Sequence, residues 1–221
     1  MATLYLSGGG LGRSAHAWPE ALQWLAAQPG PLLLASIASD DDRQARTLQQ
    51  LLANVGREAT LISHLPQVIT EPTTLFLCGG DATGLLDQPE RVRELTNAIT
   101  LSHLTIIADS ASAMALGRRA ASCTCGGHPI RVIDGIGALG AWSILAHATG
   151  GNDERLAALA DRGIGRRRQV PLVVAVGGAL ARQVRMAHLA AVLQAHYKLF
   201  TFIFVRHIYL NKLLALLILI T

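Results

Sequence analysis

Short apolar runs alternate with helical stretches along most of this chain, and that alternation is its strongest constraint. The runs are Thr3–Ser7, Pro31–Ala38, Ala59–His64, Thr73–Cys78, Leu104–Ala108, Ile130–Ile133, Ser143–Ala146 and Val170–Val176. Each is of strand length and bounded by Gly, Pro or polar residues. Helical spacing occupies Trp18–Ala27, Asp41–Val55, Pro89–Leu101, Ala111–Arg118 and Asp153–Arg162. The second of these opens on acidic residues, which suit a helix N-terminus. Strands that alternate with helices pair in parallel and are covered on both faces. The pattern therefore predicts an α/β fold, a three-layer α/β/α sandwich around a mostly parallel sheet. Sheets of this kind bind ligands beyond the carboxyl ends of their strands, so the residues that follow each run carry the functional argument.

One such junction is Leu104-Thr-Ile-Ile-Ala-Asp-Ser-Ala-Ser-Ala-Met-Ala-Leu-Gly117, a buried strand that meets a serine and then small helix formers. This is the layout of a nucleophile elbow, whose sharp turn needs small residues two positions either side of the nucleophile. Ser110 has Ala108 and Ser112 there, whereas Ser112 would have Ser110 and the bulkier Met114. Ser110 is thus the predicted nucleophile, with the N–H of Ala111 and the helix start available to an oxyanion. The competing reading is a serine that merely caps a helix.

A second junction, Phe76-Leu-Cys-Gly-Gly-Asp81, puts Gly79 and Gly80 where backbone amides can face a ligand. Asp81 either joins that substrate-binding group or caps the next helix. His147 ends the run Ser143–Ala146. An elbow serine needs a base that titrates near neutral pH, and histidine is the usual one.

Taken in order, these stretches resemble the S51 serine peptidases, the family of peptidase E and cyanophycinase. The correspondence runs through Ser7-Gly-Gly-Gly10, Gly79-Gly80-Asp81, Ser110-Ala-Ser-Ala-Met114, Gly135-Ile-Gly-Ala-Leu-Gly140, His147 and Arg155-Leu156, and covers about residues 2–195. It implies a flavodoxin-like sandwich, serine peptidase chemistry with a histidine base on a small peptide substrate, and a homodimer. No cofactor or metal is expected, and the alternative is a non-catalytic member or a protein that binds a small ligand or nucleotide at the same strand ends. The family's flanking glycines are replaced here by Ala108 and Ser112. Its triad acid follows the histidine, but no acidic residue follows Asp161. Asp134, at the end of the strand before Gly135, is the remaining candidate to orient His147. Strictly Asp-specific relatives place an arginine where this chain has Asn152.

Composition bounds the rest. The three cysteines, Cys78, Cys123 and Cys125, form no disulfide framework. With an N-terminus unlike a signal peptide, they predict a reduced, cytoplasmic setting. All 15 acids precede residue 162, while the net charge is +4. The basic remainder lacks the interleaved aromatics of a nucleic-acid surface, so no nucleic-acid partner is expected. Cys123-Thr-Cys-Gly-Gly-His128 offers half a metal site with no second half. Gly10-Leu-Gly-Arg-Ser-Ala15 fits a dinucleotide-binding turn, but its partner carboxylate is displaced to Asp40. Residue usage changes near residue 196, where lysines and aromatics replace alanine and arginine. The expected organisation is therefore a hydrolase domain over residues 1–195 and an atypical tail over residues 196–221. The tail's apolar runs are too short for a membrane span.

Overall fold

The computed structural model describes residues 1–9, 19–122, 129–147 and 159, together with the backbone of residues 172–176 and 182–184. The chain divides into a unit of Met1–Val184 and a unit of Arg185–Thr221, and all described residues belong to the first. The expected helix Asp153–Arg162 and the tail lie outside the described residues, apart from Leu159 of that helix.

Five parallel strands form the centre: β1 (Thr3–Ser7), β2 (Leu32–Ala35), β3 (Thr60–Ile62), β4 (Thr73–Leu77) and β5 (Leu104–Asp109). They stand in the order β1-β5-β4-β2-β3, and β10 (Arg182–Val184) adds an antiparallel strand beside β1. The mostly parallel α/β class expected from the sequence is the one adopted. Read from the β3 edge, the five parallel strands run β3-β2-β4-β5-β1.

Burial explains the order. All five residues of β4 are buried, as a central strand of a covered parallel sheet requires. β3 has no buried residue and occupies an edge. On one face, α1 (Pro19–Ala26) and α2 (Arg43–Asn54) bury Leu22, Leu25, Ala45, Leu48 and Leu52 against Leu32, Leu34, Phe76 and Ile107. The spacing of Ala45, Leu48 and Leu52 is that of one helix stripe. Leu75, Leu77, Ile106 and Ala108 alternate onto the other face of their strands. There α3 (Ala82–Leu86) adjoins both α4 (Pro89–Thr100) and α5 (Ala111–Leu116), and these two adjoin β5.

Two expectations need correction. The acids at Asp41 and Asp42 do not begin α2. They precede it and pair with Arg43 and Arg46, at 2.8 and 2.7 Å, while the Asp42 side chain makes no capping bond. The expected helix Ala111–Arg118 also ends at Leu116, because Arg119–Ala121 forms β6 and pairs antiparallel with β7 (Val132–Asp134). β8 (Trp142–Ala146) and β9 (Leu172–Val176) form a separate parallel pair.

Phe76 is wholly buried and joins both helices of the first face. Phe76→Ala is expected to lower unfolding free energy by about 3–5 kcal/mol through lost burial and the cavity left behind. Chemical denaturation of the two proteins measures it.

Candidate active site

The carboxyl ends of β1, β4, β5 and β8 supply the residues singled out from the sequence. Ser110 follows β5 directly and precedes α5. Its backbone, at φ 52° and ψ −110°, lies where L-residues are rare. This is the sharp strand-to-helix turn of an elbow. Three bonds impose it: Ser110 N–H donates to the Ser7 carbonyl at 3.0 Å, Met114 N–H donates to the Ser110 carbonyl at 3.0 Å, and Ser112 Oγ donates to the Cys78 carbonyl at 2.6 Å. The last bond uses the fully buried Ser112 hydroxyl as a strut.

His147 sits one residue beyond β8. Its N–H donates to the Gly8 carbonyl at 3.0 Å, which ties the end of β8 to the end of β1. Its Nε2 stands 2.7 Å from Ser110 Oγ. The structure thus brings together two residues 37 positions apart in the sequence, at the distance of a strong hydrogen bond. His147 also has positive φ, 53°. Its ring lies against Gly9, where a Cβ would overlap Cε1.

Gly79 and Gly80 flank the same point. A Cβ on Gly79 would stand 3.0 Å from the Ser110 Cβ, so glycine lets this backbone approach the serine. Gly80, at φ 156°, is pressed so closely on the Ala38 carbonyl that any side chain would overlap it. The N–H groups of Gly79, Gly80 and Ala111 take no carbonyl acceptor among the described residues. With only six residues, α5 adds little macrodipole at this point.

Two further candidates are placed elsewhere. Asp81 caps α3: its Oδ1 accepts from Thr83 N–H at 3.0 Å and from Thr83 Oγ1 at 2.8 Å. Asp134 does not approach His147. It pairs across β6 with Arg119 at 3.9 Å, and its side chain is 94% exposed. The reason is topological. Asp134 and Gly135 are stitched to the far end of α5, where Gly135 N–H donates to the Arg118 carbonyl and Ile136 N–H to the Ala115 carbonyl. Ser110 stands at the near end, and six residues of helix separate the two by about 9 Å. Asn152 lies outside the described residues, as do the Gly10–Ala15 turn and the Cys123–His128 stretch.

The sequence reads Asp109 as adjacent to the nucleophile and pointing away from it, and leaves its buried partner unidentified. Asp109 is fully buried, and its Oδ1 accepts from Ser7 Oγ at 2.5 Å. The signal was present in an acidic residue at the last, buried position of an apolar strand. A cavity of about 380 Å³ adjoins Gly80, between the carboxyl ends of β2 and β4, lined by Ala38, Ser39, Asp40, Asp81 and Arg91. The chain turns back on its own winding between these two strands, which is where such sheets bind ligands. Arg91 holds the cavity wall by donating to the carbonyls of Ile37 at 2.6 Å and Ser39 at 3.2 Å. Among the described residues there is no group of three or more metal-ligating side chains, and no helix is long and apolar enough to cross a membrane.

The chain has the fold of a solved peptidase. Its structure is similar to that of a peptidase from an acI-B1 Actinobacterium, with a TM-score of 0.51, 14% sequence identity and 84% of each chain covered. No protein-family model matches the sequence, and no curated protein does.

Cys78, next to Gly79, is a second potential nucleophile, but burial pushes its thiol up to about 12, and the neighbouring Asp109 charge acts in the same direction. A raised thiol pKa leaves the neutral, unreactive form in place at all pH values well below 12. Native protein treated with iodoacetamide at pH 8 is therefore expected to keep Cys78 unmodified, and denatured protein to lose it to alkylation. Peptide mapping by mass spectrometry reads the difference.

Proposed function

We propose that this chain is a serine hydrolase of the peptidase E type that cleaves small peptides through an acyl-enzyme. The observation that carries the reading is the pairing of Ser110 Oγ with His147 Nε2 at 2.7 Å, on an elbow whose serine has positive φ. A fold shared with a protein described as a peptidase is in keeping with it.

In this reading Ser110 Oγ attacks the substrate carbonyl carbon as its proton passes to His147 Nε2. The carbonyl oxygen becomes an oxyanion and accepts from the N–H groups at Gly79, Gly80 and Ala111. The C–N bond then breaks, and His147 returns the proton to the leaving amine. A water molecule attacks the acyl carbon with His147 as base, and Ser110 is regenerated.

Ser110→Ala is expected to abolish labelling by a fluorophosphonate and to reduce peptide hydrolysis by about 10⁴-fold or more. Ser112→Ala, which removes a strut of the elbow but not the nucleophile, is expected to keep labelling at Ser110 and a reduced but measurable hydrolysis, at a stability cost of about 1–3 kcal/mol for the Cys78 carbonyl left unpaired. Labelling that survives Ser110→Ala would overturn the assignment of the nucleophile. Mass-spectrometric mapping of the labelled residue distinguishes the outcomes.

Specificity is expected to be broader than for aspartyl peptides. By the sequence resemblance, the position at which strictly Asp-specific relatives place an arginine falls near Asn152, and an amide offers no charge-assisted, two-pronged grip on a carboxylate. Losing such a contact costs roughly 1.5–3 kcal/mol, about one to two orders of magnitude in discrimination. A dipeptide panel comparing kcat/KM for Asp-Xaa with Ala-Xaa, Leu-Xaa and Arg-Xaa is expected to show less than a hundredfold preference for Asp.

A further inference from the structure

We propose that Ser7 and Asp109 are positioning residues that fix the imidazole of His147 against Ser110. The proposal rests on the hydrolytic reading of that pair and adds two residues which the reading does not use. Both are fully buried, and they lie at the ends of adjacent strands, where Ser7 stands opposite Asp109 in the β1–β5 register.

The Ser7 hydroxyl works in two directions. It donates to Asp109 Oδ1 at 2.5 Å and accepts from Gly9 N–H at 3.3 Å. Because its proton is committed to Asp109, its lone pairs face Gly9. Asp109 thereby determines which way the Ser7 oxygen presents itself, and Ser7 determines where the Gly8-Gly9 backbone lies.

That backbone is the floor of the histidine. Gly8 accepts the main-chain N–H of His147 at 3.0 Å, and Gly9 sits against the ring itself. The positive φ of Gly9, 107°, means that the turn is not one the chain adopts by default. Ser7 also accepts the Ser110 N–H through its carbonyl at 3.0 Å. One residue therefore references both members of the reacting pair to the same strand end. Without the Ser7 hydroxyl, the Gly8-Gly9 turn loses a buried bond, and the ring gains room to move off Ser110 Oγ. A displacement of about 1 Å in a reacting group can cost on the order of 100-fold in rate.

The test compares wild type with Ser7→Ala, Asp109→Asn and Gly9→Ala in the full chain. The readouts are the rate of fluorophosphonate labelling at Ser110, kcat and KM on a small ester or peptide, and thermal unfolding. Ser7→Ala is expected to slow labelling and kcat by about 10- to 100-fold, with KM within about twofold of wild type. Asp109→Asn, whose amide oxygen can still accept from Ser7, is expected to retain most of the rate. Gly9→Ala, which drives a methyl into the ring, is expected to be the most impaired. Labelling of Ser7→Ala at the wild-type rate would overturn the proposal, as would a loss no larger than the fraction of unfolded protein. Crystal structures of wild type and Ser7→Ala supply a readout independent of activity. A ring displaced from Ser110 in the variant supports positioning, and a ring still 2.7 Å from Ser110 Oγ overturns it. Wild-type protein that takes no probe while the ring shifts in Ser7→Ala would instead count against the hydrolytic reading alone.

Discussion

The positive φ at Ser110 is the constraint on which the candidate site depends. A non-glycine residue held outside the ordinary backbone regions costs on the order of 1–3 kcal/mol, and it persists only where its surroundings over-determine it. Here they do so from three sides. β1 takes the Ser110 N–H, α5 takes its carbonyl, and Cys78, just past β4, takes the hydroxyl of Ser112 two residues on. The same turn swings the Ser110 side chain off the sheet toward His147. Gly79 carries no side chain because the serine already occupies that space. The small residues around the elbow and the strain within it are thus one requirement seen twice.

How far the fold was legible depended on burial. β4, β5 and β8 were recognisable because buried parallel strands are nearly continuous apolar runs. β6 was not: Arg119-Ala-Ala has weak strand propensity and is strand only through its pairing with β7. α3 is five residues long, too short for helical periodicity to register. Its cap was nonetheless readable in Asp81, whose plainer role as a helix cap is the one the geometry displays.

The candidate site divides along the same line. Ser110 and His147 could be read as a pair because each directly follows an apolar run of the kind a parallel strand makes. The partner of His147 could not be read this way. Asp134 also ends a strand, but that strand belongs to a two-stranded antiparallel ribbon at the wrong end of α5. Strand-end logic fails for an antiparallel ribbon, and nothing in the residues 132–134 announces that they form one. β8 also lies outside the central sheet, but its end is tied to the end of β1 by the His147 N–H on the Gly8 carbonyl. Asp109 is legible as pointing away from the nucleophile, but its partner is not. Strand alternation directs it away from the nucleophile beside it, and its partner Ser7 lies 102 residues earlier.

The polar side chains and the glycines divide the work at this edge of the sheet. Polar groups such as Ser7, Asp109 and Ser112 fix backbone, each by bonds to a strand end or to another buried group. The glycines set how closely the pieces approach: Gly9 under the imidazole, Gly79 beside the serine, Gly80 on the Ala38 carbonyl. A buried polar group without a partner costs more than a satisfied bond gains, so each side chain holds its strand end in one position. A glycine at φ 107° or 156° cannot be replaced without strain, so each close approach is equally fixed. Geometry at the Ser110–His147 pair is therefore set before any ligand arrives, which is the condition under which a hydroxyl and an imidazole 2.7 Å apart can act on a bound carbonyl rather than merely solvate each other.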